Sequence, residues 1–335
     1  MSAVKGNRFQ VKDRVNLAEV IPISTPYLLF IDPSSICNFK CTFCPCGGGN
    51  KEYWDKDKKV NVLPYSLYRD VINQIAEFPE KIKTLRLYKE GEPLLNKRLP
   101  DMIYYARKKN VAHNIDLTTN GSLLTEDLNY ALIDAGISRI NISVEALDKE
   151  GYKTHAGVSL DFNIYKKTLE HLYRNKGDCH IMIKTTDIGL GENTEEEFYE
   201  MFGEYCDEIS VERITPVWPD FNVTHVKKEF NEGIFGENVH ERIVCPYLFY
   251  SICVNSDGTV SSCFMDWNHK NILGDCKTES IVDIWNQSNL GNMRKAHLQG
   301  NKDKYPICSN CGQLTYAALD DLDSYKEILL KRLGD

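Results

Sequence analysis

The 335-residue chain has no apolar run long enough to span a membrane. Its N-terminal stretch, MSAVKGNRFQVKDRVNLAEV, carries cations but no apolar segment behind them. Neither a membrane association nor a secretory signal is expected, and the chain is expected to stay in the cytoplasm. A long basic stripe is also missing, and 48 acidic against 40 basic residues leave a net charge of −8. Nucleic acid is therefore not expected as a partner, because phosphates are bound mainly by clustered cations. There is no internal repeat and no low-complexity tract. What the chain has in abundance is cysteine, twelve in all. Cytosolic thiols stay reduced, so clustered cysteines read as metal ligands more readily than as disulfides. Four lie at 37–46, two are isolated (Cys179 and Cys206), and six lie between 245 and 311.

From residue 27 to 217 the hydrophobic pattern alternates between two periods. YLLFIDPSS, TLRLYKEGE, NIDLTTNG, SRINISVEAL, HIMIKTTD and EISVERI read as strands. Between them lie segments of helical period, such as LPYSLYRDVINQIAEF with Leu67, Val71, Ile72 and Ile75 on one face. Thr125 is placed to cap one helix, Gly136 to end it, and Thr194 with Glu197 makes a capping-box pattern. Six strands alternating with five helices predict an α/β fold with a parallel sheet. Strands buried on both faces should be nearly all apolar. These instead set Ile140, Ile142 and Val144 against Asn141, Ser143 and Glu145, and Leu85 and Leu87 against Arg86, Tyr88 and Glu90. Filled barrels use branched apolar side chains inside, so the polar face predicts a partial (β/α)6 TIM-type barrel around a polar ligand. The alternative is a sheet with one solvated face. Residues 1–26 read as an extension, 27–217 as the barrel and 218–240 as a linker. Residues 241–335 read as a small cysteine-rich domain with one short helix, SIVDIWNQ.

ICNFKCTFCPCGGG spaces Cys37, Cys41 and Cys44 as C-x3-C-x2-C directly after the first strand. Three thiolates can hold three irons of a cubane cluster and leave one iron open. A structural zinc site would want four ligands, and Cys46 as a fourth is separated from Cys44 only by Pro45. With Phe43 before the third cysteine, the motif resembles the signature of the radical S-adenosylmethionine (SAM) superfamily. KEGEP at the end of the second strand resembles the family's Gly-Gly-Glu-Pro stretch, which receives the methionyl amine of SAM. Gly91, Glu92 and Pro93 match, and Glu90 replaces the first glycine. TTNG closes the third strand as in relatives, which implies Asn120 near the ligand; NISVEA resembles the fourth-strand segment whose serine contacts SAM, where Ser143 matches; and the resemblance implies Lys184 within reach of the SAM carboxylate. Glu145 stands where many relatives carry aspartate. For each polar residue, direct contact and a hydrogen bond within the barrel both remain open.

Cys245 opens a run of twelve residues, then Gly258, then four, then Cys263; Cys308 and Cys311 follow as C-x2-C. This resembles the auxiliary-cluster domain called SPASM. No cysteine follows Cys311, so it resembles the shortened, single-cluster form called twitch. That resemblance implies Cys245, Cys263, Cys308 and Cys311 as ligands of one fully coordinated [4Fe–4S] cluster, the alternative being a zinc-ribbon-like site. Cys253 and Cys276 fall outside the scheme, either as small buried hydrophobes or as hydrogen-atom donors to a substrate radical. Cys46, Cys179 and Cys206 carry the same ambiguity.

The resemblance implies two [4Fe–4S] clusters, SAM, and a flavodoxin- or ferredoxin-type electron donor. It implies reductive cleavage of SAM to a 5′-deoxyadenosyl radical that takes a hydrogen atom from substrate carbon. Two fates are then open: loss of a proton and of an electron to the auxiliary cluster, or epimerisation through a cysteine. Single-cluster relatives include dehydrogenases of aminocyclitols, so oxidation of a sugar- or cyclitol-like polar small molecule is expected, with Glu90, Glu145 and Cys253 as catalytic candidates. Modification of a peptide or protein is the alternative. About thirty residues precede the first strand, which argues against leader-guided peptide maturation.

Overall fold

The computed structural model describes residues 3–6, 14–47, 60–318 and 320–334. The repeat read from the sequence is present. Strands β2 (Leu28–Ile31), β3 (Ile82–Arg86), β4 (Ala112–Thr119), β5 (Arg139–Ser143), β6 (His180–Thr186) and β7 (Glu208–Glu212) pair in sequence order, all parallel. Helices Tyr65–Ile75, Leu99–Lys109, Glu126–Asp134, Phe162–Arg174 and Glu195–Phe202 connect them. Thr125 caps its helix through Leu128 N, and Thr194 and Glu197 form the reciprocal capping box. Beyond residue 240, where the sequence predicts one short helix, Ser288–Leu298 and Lys326–Arg332 are helical as well as Ile281–Asn286. Within the repeat one helix escaped the sequence pattern. Lys149–His155 is a short turn started by Asp148, and its seven residues are too few to show a period.

The outer sheet face carries Leu85, Ile115, Leu117, Ile140, Ile142, Ile181, Ile183 and Ile209, all fully buried under the helices. Burial of each such side chain contributes roughly 1.5–3 kcal/mol, and this layer sets the register. The opposite face is polar, as the alternation predicts, but it is enclosed. Arg86 lies 3.3 Å from Asp116, Lys184 lies 2.7 Å from Glu212, and Asn141 donates to the Leu117 carbonyl. Enclosed polar groups need such partners.

The sheet extends past the repeat in both directions. β1 (Val4–Lys5) pairs with β7. At the other edge β8 (Ser251–Val254) runs parallel to β2, followed by antiparallel β9 (Thr259–Ser261) and β10 (Ile272–Asp275). The cysteine-rich region is thus continuous with the barrel through the β2–β8 ladder. Gly258 turns the β8–β9 hairpin at φ +91°, a conformation that side chains rarely adopt. Residues 218–240 do more than connect, because Phe221 and Val223 are core residues. Among the described residues no helix is long and apolar enough to cross a membrane.

Candidate active site

The three-cysteine loop leaves the C-terminal end of β2 and is pinned from both sides. Gly91 N and Glu92 N donate to the Ser34 and Ile36 carbonyls, while Lys40 N and Thr42 N donate to Ala156 and His155 at the end of the Lys149–His155 helix. Cys44 N bonds Cys41 O and Gly47 N bonds Cys44 O, which coils the loop so that its thiols turn to one side. A Cβ on Gly47 would lie 2.0 Å from Cys41 O, and one on Gly91 2.2 Å from Ile36 O, so both positions require the bare backbone.

Cys37, Cys41 and Cys44 line a cavity of about 270 Å³ at the mouth of the barrel. Phe43, Gly91, Glu92, Asn120, Ser143, Glu145 and Lys184 line it too, as does Glu90. Burial, with neighbouring thiols and Glu145 adding to it, holds the Cys41 thiol well above the usual range, and burial pushes Cys44 up to about 12. Cys46 donates a hydrogen bond to the Cys37 sulfur, which draws Cys37 below the ordinary thiol value and Cys46 far above it. Glu145 is raised to about 7, chiefly by burial. Glu92 is likewise raised to about 7 by burial, against the pull of Thr119, Asn120 and Leu94. Its carboxylate accepts from Thr119 Oγ1 at 2.6 Å, Asn120 N at 2.8 Å and Leu94 N at 3.0 Å. Those bonds tie β3's exit, including the 3-10 turn that starts at Pro93, to the end of β4. The Asn120 side chain bonds Asn38, steadying the loop that holds Cys37.

The second cysteine set gathers behind the opposite wall. Cys245 and Cys311 lie within electrostatic reach of each other and of both Cys263 and Cys308, and burial raises every one, Cys245 to about 12 and Cys311 to about 11. His297 Nδ1 accepts from Cys245 N, Met265 N points at the Cys263 sulfur, and Cys311 N closes on Cys308 O. Buried thiols crowded in this way resist ionisation, and a cationic iron–sulfur core supplies the compensation they lack. The donor set therefore fits the clusters. Single-ion ligands lie about 2.3 Å from zinc. Among the described residues no three His, Cys, Asp or Glu groups converge closely enough to hold a single ion.

A sequence model of the radical SAM superfamily matches residues 31–204, just over half of the chain. The chain belongs to the radical SAM superfamily. A second model, for the SPASM iron–sulfur cluster-binding domain, matches residues 245–312. The clusters and SAM are thereby this enzyme's cofactors. A probable GTP 3′,8-cyclase of Metallosphaera sedula is 32% identical over 189 residues, 54% of each chain. Matches of this kind span about a third to a half of the curated relatives' lengths. Among solved structures, BtrN in complex with AdoMet and 2-DOIA aligns with a TM-score of 0.56 at 18% identity, over 89% of this chain and 97% of that one. Streptococcus suis SuiB bound to precursor peptide SuiA aligns with a TM-score of 0.62 at 15% identity, over 89% and 72%. At those identities the likeness is one of fold.

Not every candidate reaches this radical SAM cavity. Cys253 is fully buried with Leu28 and Phe30 and is not among the lining residues. Cys276 caps the far end of β10, where Gln74 Nε2 donates to its carbonyl. Cys179 and Cys206 are core residues at the opposite ends of their strands. Other lining residues escaped the sequence reading: Thr215, Trp218, Ile234, Trp267 and Gln313. Only WPDF after the sixth strand, rich in aromatics for a connector, signals any of them.

Proposed function

We propose that this radical SAM enzyme is an oxidoreductase acting on a hydroxyl-bearing carbon of a sugar- or cyclitol-like small molecule. The observation that carries the reading is that one cavity adjoins both cysteine sets. Cys37, Cys41 and Cys44 form one wall, and Tyr247, Phe264 and Gln313, each within two residues of a SPASM cysteine, form another. A substrate in that space lies between the source of a radical and an electron acceptor. When bound, SAM with its cluster supplies the 5′-deoxyadenosyl radical, and the second cluster supplies a one-electron acceptor.

The chain's own residues bind, orient and shield. Lys184, paired with Glu212, and Ser143 and Glu145 offer polar contacts at the strand ends. Phe39 and Phe43 cover the three-cysteine loop. Phe30 stacks on Phe264 at 5.1 Å, and Trp218 meets Trp267 edge-on at 5.8 Å, so the far wall is aromatic and excludes water from a reactive radical. Among the described residues the cavity-lining Thr185 and Thr215 hydroxyls and the Trp218 indole N–H have no hydrogen-bond partner, which suits a ligand bearing several hydroxyls. With Cys253 off the cavity wall, epimerisation by a buried cysteine has less support than oxidation.

The test uses reconstituted enzyme with dithionite, SAM and a panel of sugars and aminocyclitols in heavy water. An oxidised product formed one-for-one with 5′-deoxyadenosine, with no deuterium at the reacting carbon, is expected. Deuterium at that carbon, or reaction with peptides alone, overturns the reading.

A further inference from the structure

Glu90 stands where the family stretch has glycine, and its side chain is fully buried. It lines the reaction cavity. Oε1 accepts from Lys89 Nζ at 2.6 Å and lies 2.8 Å from His269 Nε2, which donates to the carboxylate in one tautomer and accepts from the protonated carboxyl in the other. Lys89 is as deeply buried and also donates to the Asp266 carbonyl at 2.8 Å. An enclosed ion pair is weak evidence for stability, since desolvation offsets its attraction. Burial works against the Lys89 charge, but Glu90, Cys253 and Asp266 together offset it and hold the proton on Lys89. Lys89 therefore sets a cation against the carboxylate and is not itself a proton carrier.

His269 comes from the SPASM region, 179 residues further along the chain. Its backbone is left-handed, φ 54°, which is costly for a bulky side chain and persists only where surrounding structure enforces it. That conformation delivers the imidazole to Glu90. The His269 side chain keeps 15% of its surface exposed, whereas Glu90 keeps none. The order is thus cavity, Glu90, His269, solvent. The other ionisable groups facing Glu90 are Asp32, whose Oδ1 accepts from Glu90 N, and Asp266, Cys253 and Cys46. Asp32, Asp266 and Cys253 are buried, and Cys46 is half-buried with its thiol turned to Ser35 O and the Cys37 sulfur.

We infer that Glu90 and His269 form the proton exit of the reaction cavity. This rests on the oxidoreductase reading. After hydrogen abstraction the substrate is a carbon radical bearing a hydroxyl. Its O–H bond breaks, the proton goes to the Glu90 carboxylate, and the C–O bond becomes a carbonyl; the auxiliary cluster, when bound, would supply the acceptor for the one electron released. Glu90 then hands the proton to the free Nε2 of His269 in its Nδ1–H tautomer, and Nδ1 releases its own proton to water. Glu90 is the proton acceptor; His269 acts through it.

Two measurements test this. In holoenzyme labelled with 13Cε1-histidine and held at one pH with oxidised clusters, Glu90→Gln is expected to move the His269 resonance, because it replaces the group 2.8 Å from Nε2. An unchanged resonance overturns the relay. With the sugar and aminocyclitol panel as probe, Glu90→Gln is expected to lower product formation about a hundredfold, the usual worth of a positioned proton acceptor. His269→Gln is expected to lower product formation, and His269→Gly to recover with added imidazole. Wild-type rates in both Gln variants overturn the relay and leave oxidation standing. If Glu90→Gln does not fold, Glu90→Asp and the His269 pair decide by the same criteria. A wild-type enzyme that oxidises no probe removes the oxidoreductase reading and this one with it.

Discussion

The Glu92 carboxylate lies 2.6 Å from the Thr119 hydroxyl and locks the exit of β3 to the end of β4. With Asn120 N and Leu94 N it satisfies three donors, so its role is to hold the loop around the cavity. Glu92→Ala leaves those donors buried without an acceptor, each costing roughly 1–3 kcal/mol. The expected outcome is a lower thermal midpoint and weaker SAM binding in equilibrium dialysis, with both clusters retained. Ser143→Ala should weaken SAM binding and leave the midpoint in place, since Ser143 lines the cavity at a strand end.

Gly91 and Gly47 sit where backbone carbonyls crowd their Cα hydrogens. Gly91→Ala forces the Ile36 carbonyl aside, and that carbonyl anchors the loop carrying Cys37. Iron content is expected to fall by about half, because only the first cluster loses its loop. Gly291→Ala is the control. Nothing lies within 4 Å of its added methyl, and in the Ser288–Leu298 helix the change should stabilise by roughly 0.5–1 kcal/mol.

Two cubane clusters imply about eight irons per chain. A Cys37/Cys41/Cys44 triple alanine variant should retain about four and cleave no SAM. Zinc at one atom per chain, without charge-transfer absorption near ~400 nm, would contradict cluster ligation by these residues.

Glu145 carries a pH dependence of stability. Burial raises its folded-state value to about 7 from the ordinary 4.5. Stability from the protonated form is complete below the unfolded value and is lost as pH rises through 7. The loss is on the order of 2–3 kcal/mol between pH 5 and 8, at about 1.4 kcal/mol per unit. Glu145→Gln should therefore match wild type at pH 5 and exceed it at pH 8 in thermal unfolding of SAM-free enzyme. Equal midpoints at both pH values would show that Glu145 is solvated.

Residue order alone carried the repeat, because strand and helix periods are local: Ile140, Ile142 and Val144 alternate with polar neighbours, and Thr125 and Thr194 mark helix starts wherever the chain goes. The cysteine spacing was legible for the same reason, since ligands three and four residues apart need only a short coil to converge. Tertiary structure decided what spacing cannot express. Cys253 and Cys276 look alike as spare thiols in the sequence, and only the β2–β8 pairing turns Cys253 into the core beside Phe30. Trp218 reads as a connector residue until the segment after β7 folds over the cavity. Glu90 is visible as a departure from the family motif, but its partner His269 lies 179 residues away and meets it only because the SPASM region joins the barrel's sheet. Contacts at that separation depend on how the whole chain packs, and no local pattern encodes them.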